Sequence, residues 1–156
     1  MIYAEFADVF GLHTANARVF SAYGPDSRRQ VMLDIVHKAL TQPEVRLRGT
    51  GQESRDFIHA HDIALALEMM LERAPMQGES YNIANGEQTA ISTLSHMILN
   101  ALGLNLPMRA SGLAQPGTPL NWQADITRLS VLGYAPKIPL KEGPRSFTAW
   151  CREETE

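Results

Sequence analysis

With 156 residues, the chain is long enough to bury a core and short enough to form a single domain, residues 1–156. A hydrophobic fraction of 44% and a charged fraction of 20% exclude a disordered or fibrous protein. A formal net charge of -3 excludes a basic field that would recruit nucleic acid or an anionic membrane. Cys151 is the single cysteine, so there is no disulfide framework, and a reducing cytoplasm is the expected location. The opening MIYAEFADVFG carries acids where a secretory signal has basic residues, and its apolar positions are interrupted, so neither a signal nor a membrane span is expected.

Ile2, Phe6, Val9 and Phe10 share one helical face, with Gly11 as a stop. His13 to Tyr23 reads as a strand that ends at the turn Gly24-Pro25-Asp26. Asp26 or Ser27 is the expected cap of the next helix, whose stripe is Val31, Ile35, Val36, Ala39 and Leu40. Val45 to Arg48 and Asp56 to His59 are short strands on either side of Gly49-Thr50-Gly51, a tight bend that glycine permits. Asp62 is the expected cap of a helix that buries Ile63, Ala66, Leu67, Met70 and Leu71.

Ser80 to Ala84 alternates as a strand does and stops at Asn85-Gly86. Thr89 or Ser92 starts the clearest helix, with Ile91, Leu94, Met97, Ile98, Ala101 and Leu102 at helical spacing and Gly103 at its end. Residues 104–121 are rich in Pro, Gly, Ser and Gln and read as one long irregular segment. Short helices near 124–132 and 140–150 finish the chain. The alternation makes the fold α/β. The strands near 14–20 and 80–84 read as buried on both faces, too few for a self-sufficient sheet, and so as members of a larger one.

Chemistry concentrates between Val45 and Asp62. Arg55, just past the glycine bend, carries a planar fork of donors suited to phosphate or carboxylate. Its bland alternative is an ion pair with Asp56 or Glu53. Arg46 and Arg48 read equally well as solvated residues on one strand face. His59 and His61 lack a third ligand at convincing spacing, so no metal is expected. Trp122 and Trp150 are expected in the core, and Cys151 is expected to be inert.

Several stretches together resemble one family. Arg18-Val19-Phe20-Ser21-Ala22-Tyr23-Gly24-Pro25 resembles the R-x-F-N-x-Y-G-P segment of the extended short-chain dehydrogenase/reductases, the NAD-dependent epimerase/dehydratase family that acts on nucleotide sugars. Gly49-Thr50-Gly51, Arg55-Asp56-Phe57-Ile58-His59 and Asp62 resemble its G-x-G-x-x-x-R-D-F-I-x-V-x-D signature. Residues 78–86 resemble its G-E-x-Y-N-I-G-x-G strand. Pro116-Gly117-Thr118-Pro119, Ala124-Asp125-Ile126 and Leu132-Gly133-Tyr134-Ala135-Pro136 resemble its P-G-D-P, A-D-I and L-G-[WFY]-x-P elements. The order and spacing hold from end to end.

The family's G-x-x-G-x-x-G phosphate loop is absent, and so is its catalytic Tyr-x-x-x-Lys, since Ala7 follows Tyr3 at the Lys position. The resemblance therefore implies the C-terminal, substrate-binding half of an epimerase of the UDP-glucose 4-epimerase kind, an isomerase, beginning where the catalytic half ends. The implied substrate subdomain runs from about Asp26 to Ile58 and from Ala60 onward, attached to two orphan strands of an incomplete Rossmann sheet. The implied ligand is a nucleotide sugar held by Arg55, Ser21, Gln115 and Thr118, with Arg46, Leu47 and Arg48 as the strand edge that cradles the base, largely through backbone groups. Gln115 and Thr118 stand where the family often has Arg and Asp. Phe20 and Ser21 would lie beside NAD, the parent family's cofactor, which this chain alone is not expected to bind. Catalytic residues are expected elsewhere, and the partner is either a second copy, making a homodimer, or a missing N-terminal half. A self-associating binding module and a truncated remnant without function stand as alternatives.

Overall fold

The computed structural model describes residues 2–113, 117 and 119–154, and for residues 2 and 3 the backbone alone. Thirteen elements follow in order: α1 (Ile2–Phe10), β1 (Thr14–Val19), β2 (Ser21–Tyr23), α2 (Val31–Thr41), β3 (Val45–Leu47), β4 (Ser54–His59) and α3 (Ala60–Arg73). They continue with β5 (Gln77–Ile83), β6 (Gln88–Ala90), α4 (Ile91–Leu102), β7 (Met108–Ala110), α5 (Thr127–Val131) and α6 (Gly143–Glu153). The α/β architecture is the one the hydrophobic periodicity predicts.

Among the described residues, three small sheets carry the strands. β1 and β5 pair in parallel, with Ala17 beside Tyr81 and Val19 beside Ile83. β4 is central in the second sheet, parallel to β2 and antiparallel to β6. β3 pairs in parallel with β7. The run from His13 to Tyr23 is thus two strands and not one: the chain leaves β5 at Phe20, whose N–H donates to Ile83 O, and joins β4 from Ser21 on. β1 is also more exposed than a doubly covered strand, with Val19 45% exposed. The segment after Gly103 contains β7, because Val45 N–H donates to Pro107 O and draws the chain alongside β3.

Two apolar clusters hold these layers. One gathers Ile35, Val36, Val45, Phe57, Leu94, Ile98 and Phe147 from α2, β3, β4, α4 and α6. The other gathers Ile58, Ala66, Met70, Tyr81, Ile83 and Leu129 beneath α3 and α5. The apolar stripes of α2 and α4 predicted from spacing are largely the buried ones. On α3, Leu67 and Leu71 face outward instead, and on α1 Phe6, Val9 and Phe10 remain substantially exposed.

Helix starts differ from the expected caps. α2 begins after Gln30 with no side-chain cap, and Ser27 Oγ donates to Arg29 O. α4 follows Ala90 and is likewise uncapped by a side chain; its first amides, Ile91 and Ser92, donate to Glu53 O and Gly51 O. At α3 the capping atom is His59 Nδ1, which accepts from His61 N–H. That releases Asp62 for a longer reach: its carboxylate accepts from Lys137 N–H and Ile138 N–H, both at 3.0 Å.

Asp56, fully buried, performs the same service for three amides, those of Asn85 (2.8 Å), Gly86 (3.0 Å) and Ala124 (3.1 Å). Removing the acceptor strands one buried donor and two part-buried ones, and an unsatisfied buried donor costs about 1–3 kcal/mol. Asp56→Ala is therefore expected to lose about 3 kcal/mol or more in urea unfolding, and Asp56→Asn, which keeps one acceptor oxygen, less. A change within about 0.5 kcal/mol, ordinary for a surface site, would refute this role.

Candidate functional site

Strand alternation on β4 sorts four consecutive residues into two jobs. Arg55 and Phe57 face one side and line a cavity of about 460 Å³. Asp56 and Ile58 face the other, where Asp56 binds amides and Ile58 joins the second apolar cluster. β2 brings Ser21 opposite Phe57, and so onto the same cavity wall. β3 and the residue after it contribute Leu47 and Arg48, and α2 with the residue before it contributes Gln30, Val31, Asp34 and Ile35.

The glycine turn leading into β4 is built around Glu53. Gly49 and Gly51 hold φ of 82° and 78°, and a Cβ on Gly49 would sit 2.5 Å from the Glu53 carboxylate. That carboxylate accepts from Thr50 N–H and Gly51 N–H, both at 2.9 Å. The Thr50 amide above all, with that of Gly51, holds the Glu53 carboxyl below its ordinary range in spite of its burial. The turn's amides are thus engaged by the chain's own anion and do not cradle an external phosphate.

Positive charge in the cavity comes from side chains. Asp34 is paired with Lys38, and Glu53 is occupied by the turn, so both acids of the wall are engaged. Arg48 is exposed and has no side-chain partner among the described residues. Arg55 donates one nitrogen, Nη1, to Ser54 O (2.6 Å) and Pro119 O (2.9 Å). Neither Asp56 nor Glu53 pairs with it, and among the described residues its Nε and Nη2 remain available for an anion.

The structure brings Ser21, Leu47, Arg48 and Arg55 together on one cavity. Arg46 is not among them: it points outward from β3, bonded to Glu44, while its carbonyl accepts from Lys38 Nζ at 2.9 Å. Gln115 and Thr118 lie outside the described residues. Phe20 lines a smaller adjoining cavity of about 230 Å³ with Val19, Ser21, Gln30 and Trp122.

Gln30 goes unmarked in the sequence, and Trp122 is expected from it in the core. Trp122 is 46% exposed and not in the core. Its ring lies 5.7 Å from the Arg55 guanidinium carbon and 5.7 Å from the Phe20 ring, tilted 60°. Gln30 holds φ of 118°, a conformation that costs a non-glycine residue about 1–3 kcal/mol, and it lines both cavities. No local sequence signal marks either, since both act through contacts distant along the chain.

Other titratable groups play structural parts. Burial pushes the Cys151 thiol up to about 11, which makes it a poor nucleophile at neutral pH. His59, lowered by burial, meets the Tyr23 ring edge-on at 5.2 Å. Among the described residues, no group of three or more His, Cys, Asp or Glu is placed to hold a metal ion, and no helix is long and apolar enough to cross a membrane.

Comparison with known proteins adds the family. The model of the NAD dependent epimerase/dehydratase family matches residues 1–84. A dTDP-4-dehydro-6-deoxy-D-allose reductase of Streptomyces bikiniensis is 30% identical over 155 residues, covering 94% of this chain and 45% of that protein. An uncharacterized UDP-glucose epimerase of Bacillus subtilis is 29% identical over 136 residues, covering 86% of this chain and 43% of its own length. Among solved structures, a UDP-glucose 4-epimerase of Thermotoga maritima with UDP-glucose superposes with a TM-score of 0.87 at 25% identity, covering 99% of this chain and 51% of that one. The chain spans about half the length of the relatives it matches.

The Glu53 clamp has a pH signature. Its depressed carboxyl contributes stability that is full above the ordinary value of 4.5 and is lost as pH falls through the folded value. Urea unfolding of the wild type and Glu53→Gln is expected to differ clearly at neutral pH and to converge as pH falls through the folded value, below 4.5. A difference that stays constant across that range would refute the clamp.

Proposed function

The chain belongs to the NAD dependent epimerase/dehydratase family, and on that premise we propose that it binds a nucleoside diphosphate sugar as the substrate-holding portion of such an enzyme. The observation that carries this reading is the convergence of Arg48, Arg55, Ser21 and Leu47 on one cavity whose two acids are already engaged. A cavity of about 460 Å³ is within the usual range for a small-molecule ligand. Two guanidinium groups suit the paired phosphates, Arg55 by its free fork and Arg48 as an exposed charge at the rim. The uncharged Ser21 hydroxyl suits a sugar or ribose oxygen. Arg46 has no place in this reading, whereas Gln115 and Thr118 remain proposed ligand contacts on the strength of the family resemblance.

The residues present do not fit a whole dinucleotide. The sequence carries no G-x-x-G-x-x-G turn, and the cavity lined by Phe20 and Ser21 measures only about 230 Å³. NAD, where the family holds it, accepts and returns a hydride; no step of that kind is derived for this chain. Turnover then needs residues supplied by the rest of a longer protein or by another polypeptide.

A second reading rests on a separate observation. Val9 and Phe10 of α1 are 71% and 66% exposed, and Leu12 and Val19 are exposed as well. Exposed apolar side chains of this kind favour self-association. Light scattering after size exclusion is expected to give a mass above that of one chain, and a clean monomer at micromolar concentration would overturn this second reading alone.

Calorimetric titration with UDP-glucose, dTDP-glucose and GDP-mannose tests the main reading. At least one is expected to bind, and Arg55→Ala to weaken it by roughly ten- to a hundredfold, the worth of a charge-assisted phosphate contact. No heat with any of the three, or an unaltered affinity in Arg55→Ala, would overturn it. Conversion of any of these sugars by the isolated chain with added NAD would overturn the claim that it needs further residues.

A further inference from the structure

Strand β4 ends at His59, and both nitrogens of its ring stand where only the neutral form is served. Nδ1 accepts the His61 N–H at 3.1 Å and so caps α3. An amide N–H can only donate, so Nδ1 carries no proton and the neutral ring has its hydrogen on Nε2. Nε2 is buried without a hydrogen-bond partner, and so is the Tyr23 hydroxyl of β2. Tyr23 and His59 are register partners on the β2–β4 ladder, with their rings edge-on at 5.2 Å. Gly143 of α6 closes over the Tyr23 hydroxyl and leaves no room for a Cβ. Among the described residues, the titratable groups that face the ring are Tyr23 from β2 and Asp62 and His61 from α3. The segment before α6 turns only backbone amides this way, those of Lys137 and Ile138, and they bind the Asp62 carboxylate.

We infer that His59 is an acid-sensitive latch between β4 and α3, whose protonation at Nδ1 undoes the cap and frees the first turn of the helix. The latch is independent of what the cavity binds. A proton on Nδ1 points at the His61 N–H, so two donors confront each other where one hydrogen bond stood. The new cation finds no acceptor at Nε2 either. Burial holds the His59 imidazole below its ordinary value of 6.5, with the Asp62 carboxylate pulling it up and His61 pushing it down. A histidine lowered on folding gives stability that is complete above 6.5 and is lost as pH falls from there through the folded value. The loss is local at first. The cap fixes the turn that carries Asp62, and Asp62 fixes Lys137 and Ile138, so acid loosens the start of α3 and the approach to α6 together.

The test reads hydrogen exchange at the His61 amide, corrected for intrinsic rate, from about pH 7.5 to about pH 5, with the His59 ring nitrogens followed by NMR. That range stays above 4.5, below which the Glu53 clamp fails. In the wild type, protection is expected to be level above 6.5 and to fall by up to about tenfold per pH unit below it. His59→Asn supplies a capping oxygen that does not titrate, and its protection should stay level on acidification. His61→Ala, which removes the neighbouring imidazole and keeps the amide, should retain the wild-type dependence. A level wild type, a parallel fall in His59→Asn, or a level response in His61→Ala would each overturn the latch. So would a neutral ring with its proton on Nδ1. Should His59→Asn fail to fold, the wild type decides: a fall below 6.5 with the neutral proton on Nε2 supports the latch, and level protection overturns it.

Discussion

The carboxylate of Asp56 is the point on which the geometry depends. It is fully buried at the centre of the β2-β4-β6 sheet and accepts three backbone amides from two other parts of the chain. Burial pushes its carboxyl up, against the pull of the Ala124, Asn85 and Gly86 amides, so the charge is held at a cost. What that cost secures is placement. The amides of Asn85 and Gly86 fix the turn between β5 and β6, and that of Ala124 fixes the segment that returns across β4. Since Arg55 adjoins Asp56 and Trp122 lies two residues before Ala124, one buried acid sets the distance between a cation and its aromatic neighbour. Asp62 does related work at the next element, tying α3 to Lys137 and Ile138.

From this clamp follows the division of labour across β4. Alternate residues face opposite sides, so the acid that organises the backbone and the base that lines the cavity stand next to each other in sequence without pairing. An Arg55–Asp56 ion pair would have neutralised both. Glu53 is kept from Arg55 by another device, the amides of Thr50 and Gly51, which absorb its charge within the glycine turn. The cavity is thereby left with cationic donors although its lining contains as many acids as bases. Charge counted from composition, -3 for the chain, says nothing of this local excess.

Much of this was legible in the residues. Helical spacing located α2, α3 and α4 to within a few residues, and Gly103 ends α4 in the left-handed conformation. The order of family-like motifs identified the epimerase/dehydratase family, and Arg55 stood out as a candidate for meeting an anion. Other readings failed for definite reasons. Asp62, Ser27 and Thr89 all looked like helix caps because a short polar side chain before an apolar run is the usual signal. The competing partners, two amides 75 and 76 residues away in the case of Asp62, leave no local trace. β6 and β7 are three residues each and acquire strand geometry from their partners, not from propensity. Periodicity placed Phe6, Val9 and Phe10 on one face of α1 without saying what covers it, and in the structure that face remains substantially exposed.

By itself, then, the sequence determined the α/β class, the main helices, the glycine bend and the presence of an arginine suited to phosphate, because each is written in local spacing and side-chain chemistry. Only the tertiary structure decided where the charges of that bend are spent, that Arg46 turns away while Arg48 and Arg55 converge, and that Trp122 joins the site instead of the core. The first two rest on contacts spanning two or three residues, Glu53 to Thr50 and Gly51 and Arg46 to Glu44, whose side-chain choice periodicity does not record. The last rests on contacts more than sixty positions apart, such as the bond from Ala124 to Asp56 across 68 residues, of which local sequence carries no record.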